Sequence, residues 1–176
     1  EVEYKEYAAV TDLLKATESE TPLMCSNLPD NIAAYETLGN QQELKEIFSN
    51  AHHVTRMELI NNRLVGTPLE PRGLNCYRDP EDGTLILHAS HQSATRLHGF
   101  LCSIFKFQPE QLRVKVGDLG GGFGTKVAIY PEDVLVVYAA KKLKVPIKWT
   151  ATRTEEFQAS VHSRDHMNIA ELACDP

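Results

Sequence analysis

The chain has 176 residues, 42% of them apolar and 24% charged, which is enough for one ordinary globular core and excludes a disordered composition. Eighteen Lys and Arg against 24 Asp and Glu give a formal net charge of −6, so no global positive field exists to hold a nucleic-acid backbone. The longest uninterrupted apolar run, Val134 to Ala140, falls well short of the roughly 20 residues a membrane span needs, and the opening Glu1-Val2-Glu3-Tyr4-Lys5 lacks a signal pattern, which points to a soluble, cytoplasmic chain.

Glu1 to Val10 reads as an extended stretch inside a lead-in over 1–17, and Thr11 to Thr21, polar, acidic and stopped by Pro22, as a short helix followed by a loop. Asn31 to Leu38 predicts a strand closed by Gly39-Asn40. Asn40 with Glu43 three residues on is a capping-box signature for a helix over Gln41 to Ser49, amphipathic through Leu44, Ile47 and Phe48. Val54, Met57 and Leu59 partly alternate in a strand over Val54 to Ile60. The stretch 61–73 carries two Pro and two Gly and reads as an irregular loop. Leu74 to Arg78 and Thr84 to Ser90 then form a hairpin across Asp79-Pro80-Glu81-Asp82-Gly83.

In the following helix Leu97, Phe100, Leu101, Ile104 and Phe105 make a stripe that faces a core, with Ser93 placed to cap the start. Leu112 to Val116 is a short strand running into Gly117-Asp118-Leu119-Gly120-Gly121-Gly122-Phe123-Gly124-Thr125-Lys126. Pro131, Glu132 and Asp133 open a buried helix that Lys141, Lys142 and Lys144 close, as the helix dipole favours. Val145 to Thr150 reads as a strand, Arg153 to Phe157 as a helical turn and Met167 to Ala173 as a last strand. The class is α+β, a mixed sheet with hairpins and packed helices, and no linker, repeat or low-complexity segment splits it.

Cys25, Cys76, Cys102 and Cys174 form no C-x-x-C pair, which argues against a zinc ribbon, an iron–sulfur cluster or a disulfide framework and leaves them as buried small hydrophobes. The chain starts without Met on an extended stretch and stops straight after another, as an excised piece of a longer polypeptide does.

The strongest local signal is the glycine run. Four glycines in the five positions 120–124 remove every Cβ but that of Phe123, so the backbone can adopt positive φ and approach a ligand closely. It is not a P-loop, because Thr-Lys follows rather than Lys-Ser/Thr, and G-x-G-x-x-G spacing is absent. His88, His91 and His98 span a strand and a helix, and His162 and His166 lack the glutamate of a zinc helix, so solvated or supporting histidines are the better reading. No G-x-S-x-G nucleophile turn exists. Glu155-Glu156 reads as a wet helix face. On residues alone, the loop is either a ligand cradle or a turn that holds only itself.

The order of motifs is more specific. Asn62-Arg63-Leu64-Val65-Gly66-Thr67-Pro68-Leu69-Glu70-Pro71-Arg72-Gly73, then Ser90-His91-Gln92, then Gly120 to Lys126, then Pro131-Glu132, then Pro146-Ile147-Lys148-Trp149 with Arg153, Glu156 and Arg164-Asp165, resembles the molybdenum hydroxylases. That family includes xanthine dehydrogenase, aldehyde oxidase, carbon monoxide dehydrogenase and bacterial enzymes that hydroxylate N-heterocycles. The resemblance is to part of the molybdopterin-binding domain of the large subunit and places that partial domain over 18–176.

The resemblance implies roles for particular residues. Gln92 matches the glutamine that hydrogen-bonds an oxygen ligand of the molybdenum centre, with a helix cap as its bland alternative. Gly121, Gly122, Phe123 and Gly124 match the cofactor-binding loop that approaches the metal centre, and Val127 is substrate-proximal. The purine-oxidising branch carries a glutamate at that point, so an apolar Val127 makes purines the less expected substrates and leaves aldehydes, aromatic heterocycles or carbon monoxide. Glu70-Pro71-Arg72 matches a loop to which structural support is assigned. The pterin, expected in a dinucleotide form, supplies the metal's sulfur ligands, so no residue here is a metal ligand. The family's catalytic glutamate belongs to a later glycine-rich segment, so no catalytic residue is expected in this chain.

Partners implied are an iron–sulfur subunit or domain with 2Fe-2S clusters, an FAD subunit or domain, the rest of the large subunit and a small-molecule substrate, with neither nucleic acid nor membrane. Alone, the 176 residues are expected to be inactive, to hold no stoichiometric cofactor and to expose apolar surface that drives self-association. Two rival readings remain: a non-enzymatic α/β module binding a small anion on Gly120 to Gly124, and a structural domain with no ligand.

Overall fold

A computed structural model of the chain describes residues 2–176. In chain order it contains α1 (Gln41–Asn50), β1 (His53–Asn61), β2 (Leu64–Val65), β3 (Gly73–Arg78), β4 (Leu85–Ala89), α2 (Ala94–Phe105), β5 (Leu112–Lys115), α3 (Pro131–Leu143), β6 (Ile147–Thr150), α4 (Arg153–Ala159), β7 (His162–Ser163) and β8 (His166–Cys174), with single 3-10 turns at Lys15–Thr17 and Pro109–Gln111. The chain divides into two compact units, Glu1–Arg63 with Arg164–Pro176, and Leu64–Ser163.

In the first unit Asn40 caps α1 as its sequence predicts, its side chain accepting from the Glu43 N–H at 3.2 Å. β1 pairs antiparallel with β8 in one unbroken register, from His53 opposite Cys174 to Asn61 opposite His166. One expectation fails here and another is met in part. Glu1 lies outside the described residues, and the extended stretch over 2–10 joins no ladder. Thr11 to Thr21 holds only the turn Lys15–Thr17. Asn31 to Leu38, expected as a strand, joins no β-ladder among the described residues. An extended run without a ladder gains no hydrogen bonds and stays irregular.

The second unit is a four-stranded mixed sheet in the order β5-β4-β3-β6 with α2 and α3 on one face. The β3–β4 hairpin forms where its turn residues predict, with Asp79 N–H bonded to Thr84 O at 2.8 Å and Gly83 at φ +74°. Parallel strands need a crossover, and α2 supplies it between β4 and β5. Ser93 starts α2 by accepting from the Arg96 N–H at 3.3 Å. Pro131 opens α3, and the Asp133 carboxylate accepts the Tyr130 N–H at 2.7 Å.

Alternate residues of the strands, Leu74, Cys76, Leu85, Leu87, Ala89 and Leu112, meet Leu97 and Leu101 of α2 and Val136, Val137 and Ala140 of α3 in one core. The α2 stripe is only half covered: Leu97 and Leu101 are buried, whereas Phe100 and Ile104 stay 40% and 50% exposed because the core contact follows a narrower arc of the helix than the apolar residues do. Of the cysteines only Cys76 is fully buried; Cys102 is half-buried, and Cys25 and Cys174 are exposed, contrary to the expectation of four core thiols. The loop expected over 61–73 contains a two-residue strand, β2, paired with β7.

Candidate cofactor-binding site

Four strand termini meet at one edge of the sheet. β4 and β5 are parallel, so their C-terminal ends lie together; β3 runs against β4, and β6 against β3, so the start of β3 and the end of β6 lie there as well. The loop before β3, the turn after β4, the glycine loop after β5 and the start of α4 are thereby gathered at one edge, where open α/β sheets place ligands. Ser90 N–H donates to Gly73 O and Ala151 N–H to Arg72 O, each at 2.9 Å, and these bonds stitch neighbouring loops together.

The glycine loop is folded tightly on these neighbours. A Cβ at Gly122 would stand 2.5 Å from Cδ of Gln92, one at Gly120 2.5 Å from Cβ of Glu70, and one at Gly121 3.1 Å from the Phe123 ring. Gly121 and Gly124 sit at φ +100° and +83°, and Phe123 itself is left-handed at φ +49°. A bulky residue in that region is strained and is held there only by its surroundings. The residue is nonetheless 72% exposed.

Gln92 is fastened at both of its polar ends to Lys126. Its backbone N–H donates to Lys126 O at 2.9 Å, and its side-chain Oε1 accepts the Lys126 N–H at 3.2 Å. That acceptance fixes which way the amide faces, and Nε2 has no acceptor among the described residues. Gln92 is therefore not the cap of α2; Ser93 does that.

Beneath the loops lie two ion-pair systems. Lys126, with its side chain fully buried, donates Nζ to Glu70 Oε2 at 2.8 Å, and the same oxygen accepts the Gly120 N–H at 2.9 Å. Burial pushes the Glu70 carboxyl up, but the bonds from Lys126 and Gly120 and the ammonium charge outweigh it and hold the group below the usual glutamate range. Arg72, buried, bonds Glu156 Oε1 at 3.0 Å and Glu132 Oε2 at 3.2 Å and stacks 3.7 Å from the centre of the Tyr130 ring. Arg153 donates Nη2 to the carbonyls of Pro68 and Leu69 at 2.7 and 3.0 Å.

The residues singled out in the sequence, Gln92, Gly121, Gly122, Phe123 and Gly124, are thus gathered at one edge, with Gly122 directly against Gln92. Val127 follows half-buried, its N–H on Gly124 O at 3.4 Å. The reading of Glu155-Glu156 as a wet face is wrong for Glu156, which is 2% exposed and carries Arg72. Glu155 instead caps α4 by accepting the Thr152 N–H. Among the histidines, His91 is buried and accepts the Ser93 N–H on Nδ1 at 3.0 Å, His98 donates toward the carbonyls of Pro109 and Leu112, and His88 stacks on Tyr77. Among the described residues no three His, Cys, Asp or Glu side chains are grouped to hold a metal ion. Sequence reasoning missed the Glu70–Lys126 and Arg72–Glu156 pairings; the signal available was opposite charges set in loops otherwise made of Gly, Pro and apolar residues.

The glycine loop and the exposed Gln92 amide thus lie together at the carboxyl ends of the parallel strands β4 and β5. The family model described as molybdopterin cofactor-binding domain matches residues 25–176, and the chain belongs to that family as a partial molybdenum hydroxylase large-subunit domain. It is 34% identical over 134 residues, 76% of its length, to the 6-hydroxypseudooxynicotine dehydrogenase complex subunit gamma of Paenarthrobacter nicotinovorans, and 26% identical over 99% of its length to the carbon monoxide dehydrogenase large chain of Hydrogenophaga pseudoflava. It spans 17% and 23% of those two relatives. Among solved structures it resembles CO dehydrogenase from Oligotropha carboxidovorans, with a TM-score of 0.86 and 27% identity over 99% of this chain and 23% of that one. Quinoline 2-oxidoreductase from Pseudomonas putida 86 matches with a TM-score of 0.82 and 28% identity over 99% of this chain and 22% of that one. No helix among the described residues is long and apolar enough to cross a membrane.

Proposed function

We propose that this chain forms one wall of the cofactor site in the large subunit of a molybdenum-dependent oxidoreductase that hydroxylates aldehydes or aromatic heterocycles, or oxidises carbon monoxide. The observation that carries the reading is the exposed Gln92 amide, its Oε1 held by Lys126 and its Nε2 without an acceptor among the described residues, packed against the glycine loop at the carboxyl ends of β4 and β5. The donor set suits molybdopterin: the cofactor brings its own sulfur ligands, so dispersed cysteines are no obstacle, and it needs close backbone approach and neutral donors from the protein. When bound, the group supplies the redox chemistry that takes an oxygen atom from water to substrate carbon. Gln92 donates to it, the missing Cβ atoms of Gly121 and Gly122 let Phe123 and Gln92 lie close against the loop, Gly124 leaves open space beside it, Phe123 covers it with an apolar ring, and Val127 presents apolar surface toward the substrate.

Acid–base work falls to a glutamate outside this chain, and the 176 residues are inactive alone. The dinucleotide form of the pterin, 2Fe-2S and FAD on partner subunits or domains, a lead-in over 1–17 followed by the partial domain over 18–176, and a cytoplasmic location belong to the same proposal. A small anion on Gly120 to Gly124 would find the Gly120 N–H already spent on Glu70.

The test is the Gln92→Ala variant in the full-length enzyme complex. Loss of one preorganised donor lowers kcat by about 10²–10³-fold. Turnover equal to the unsubstituted complex would remove Gln92, and with it the reading of this edge.

A further inference from the structure

Glu70 is not among the residues matched to the cofactor, yet three bonds lead from it to the glycine loop. Its Oε2 accepts Gly120 N–H at 2.9 Å and Lys126 Nζ at 2.8 Å, and its own N–H donates to Gly120 O at 3.2 Å. One residue therefore grips the glycine loop at its first glycine and at its closing lysine. The grip is close, since a Cβ on Gly120 would stand 2.5 Å from Cβ of Glu70.

Lys126 has no freedom to look elsewhere. Its side chain is 0% exposed, and the ion pair with Glu70 is the only one it makes among the described residues. A buried ammonium that loses its counter-charge must find water or lose its proton, and either outcome moves the chain that carries it. The carboxylate is 40% exposed, so it covers the lysine from the solvent side.

The backbone of that lysine is what fixes Gln92, through the 2.9 Å bond to its carbonyl and the 3.2 Å bond from its N–H to Gln92 Oε1. If Lys126 shifts, Gln92 Oε1 loses its donor and the amide is free to turn over, which would present an acceptor where donors stood.

We propose that Glu70 is a positioning residue that fixes the direction of the Gln92 amide, acting through the buried ammonium of Lys126. The inference rests on the proposed function only for its effect on turnover; the coupling from Glu70 to Gln92 belongs to the polypeptide and is read separately.

The experiment compares Glu70→Gln, Glu70→Ala and the double variant Glu70→Gln/Lys126→Met in the full-length complex, by amide hydrogen exchange and by steady-state kinetics. Glu70→Gln keeps an acceptor for Gly120 but removes the counter-charge of Lys126. Exchange in peptides spanning Gln92 and Lys126 rises at least tenfold in both single variants, while peptides spanning Leu87 and Val137 stay unchanged and show that the core is folded. kcat falls at least tenfold and KM changes less than twofold. The double variant, in which no buried charge is left unpaired, recovers most of the lost protection. Unchanged exchange at Gln92 and Lys126, or a double variant no better than Glu70→Gln, overturns the inference. Faster exchange in the variants of a parent complex that itself purifies without pterin supports the Glu70 coupling and overturns the proposed function instead.

Discussion

Glu156 Oε1 accepts from Arg72 twice, from the backbone N–H at 2.9 Å and from Nε at 3.0 Å, across 84 residues of sequence. The pair fastens the loop before β3 to α4, and Ser160 Oγ completes it by donating to Glu156 Oε2 at 3.1 Å. Because both side chains are almost fully buried, removing Glu156 strips Arg72 of its buried counter-charge and leaves it only the partly exposed Glu132 at 3.2 Å. Glu156→Ala is expected to destabilise folding by roughly 3–5 kcal/mol. Urea denaturation of the full-length chain measures this, and a loss under about 1 kcal/mol would mean the pair behaves as an exposed one.

Two glycines in the same loop should fail for different reasons. Gly122→Ala places a Cβ 2.5 Å from Gln92 Cδ, so it displaces the amide and lowers turnover. Gly124→Ala meets nothing within 4 Å, but φ there is +83°, so it strains the backbone at a cost of about 1–2 kcal/mol. Stability and kcat measured on both variants separate the two effects: Gly122→Ala should be the worse in kcat. Equal kcat losses would contradict the crowding of Gln92.

Glu70 and Asp133 should leave opposite marks on the acid limb of stability. The Glu70 carboxyl is held below its ordinary value of 4.5, so it stabilises the fold above that value and stops doing so as pH falls through its depressed one. Burial raises the Asp133 carboxyl against the bond from Tyr130 and the nearby charges of His91 and Arg72, so its ionised form opposes folding at neutral pH and that opposition fades on acidification. The gap between the parent chain and Glu70→Gln should therefore shrink on going to acid pH. Relative to Asp133→Asn, the parent should gain. Denaturation midpoints across pH 3–7 (about the carboxylate range) check both signs.

Thiol accessibility tests the packing of the sheet. Cys76 is fully buried in β3 and its thiol is pushed up to about 11 by burial, whereas Cys25 and Cys174 are exposed. An exposed thiol reacts readily near pH 8, and a buried protonated one does not. Disulfide reagents should label Cys25 and Cys174 quickly and Cys76 only on unfolding. Rapid labelling of Cys76 in the native chain would contradict the β3–α3 core.

Much of the fold is legible in local sequence because local physics decides it. Ser93 and the Leu97/Leu101 spacing suffice for α2, Pro131 and the closing lysines for α3, and the 79–83 turn for the hairpin. Asn31 to Leu38 misleads because a strand is defined by its partner, and alternation cannot supply one. The resemblance locates Gln92 and the glycine loop, but not what holds them. Glu70 and Lys126 stand 56 residues apart, and Arg72 and Glu156 84, so their pairing appears only once four strand termini share an edge. Glu156 is the sharper lesson: beside Glu155 it looks like solvent-facing charge, yet adjacent helix positions point in different directions, and one carboxylate caps α4 while the other enters the core.

The proposed role of this edge of the sheet is as a wall of a molybdopterin site. Metal and pterin analysis of the purified full-length subunit, with the 176 residues intact, tests it most directly. Molybdenum and pterin in near-stoichiometric amounts, both lost together when Gly122 is replaced by a bulky residue, are the predicted result. A correctly folded subunit free of both, with Gln92 and Phe123 unaltered, would contradict it.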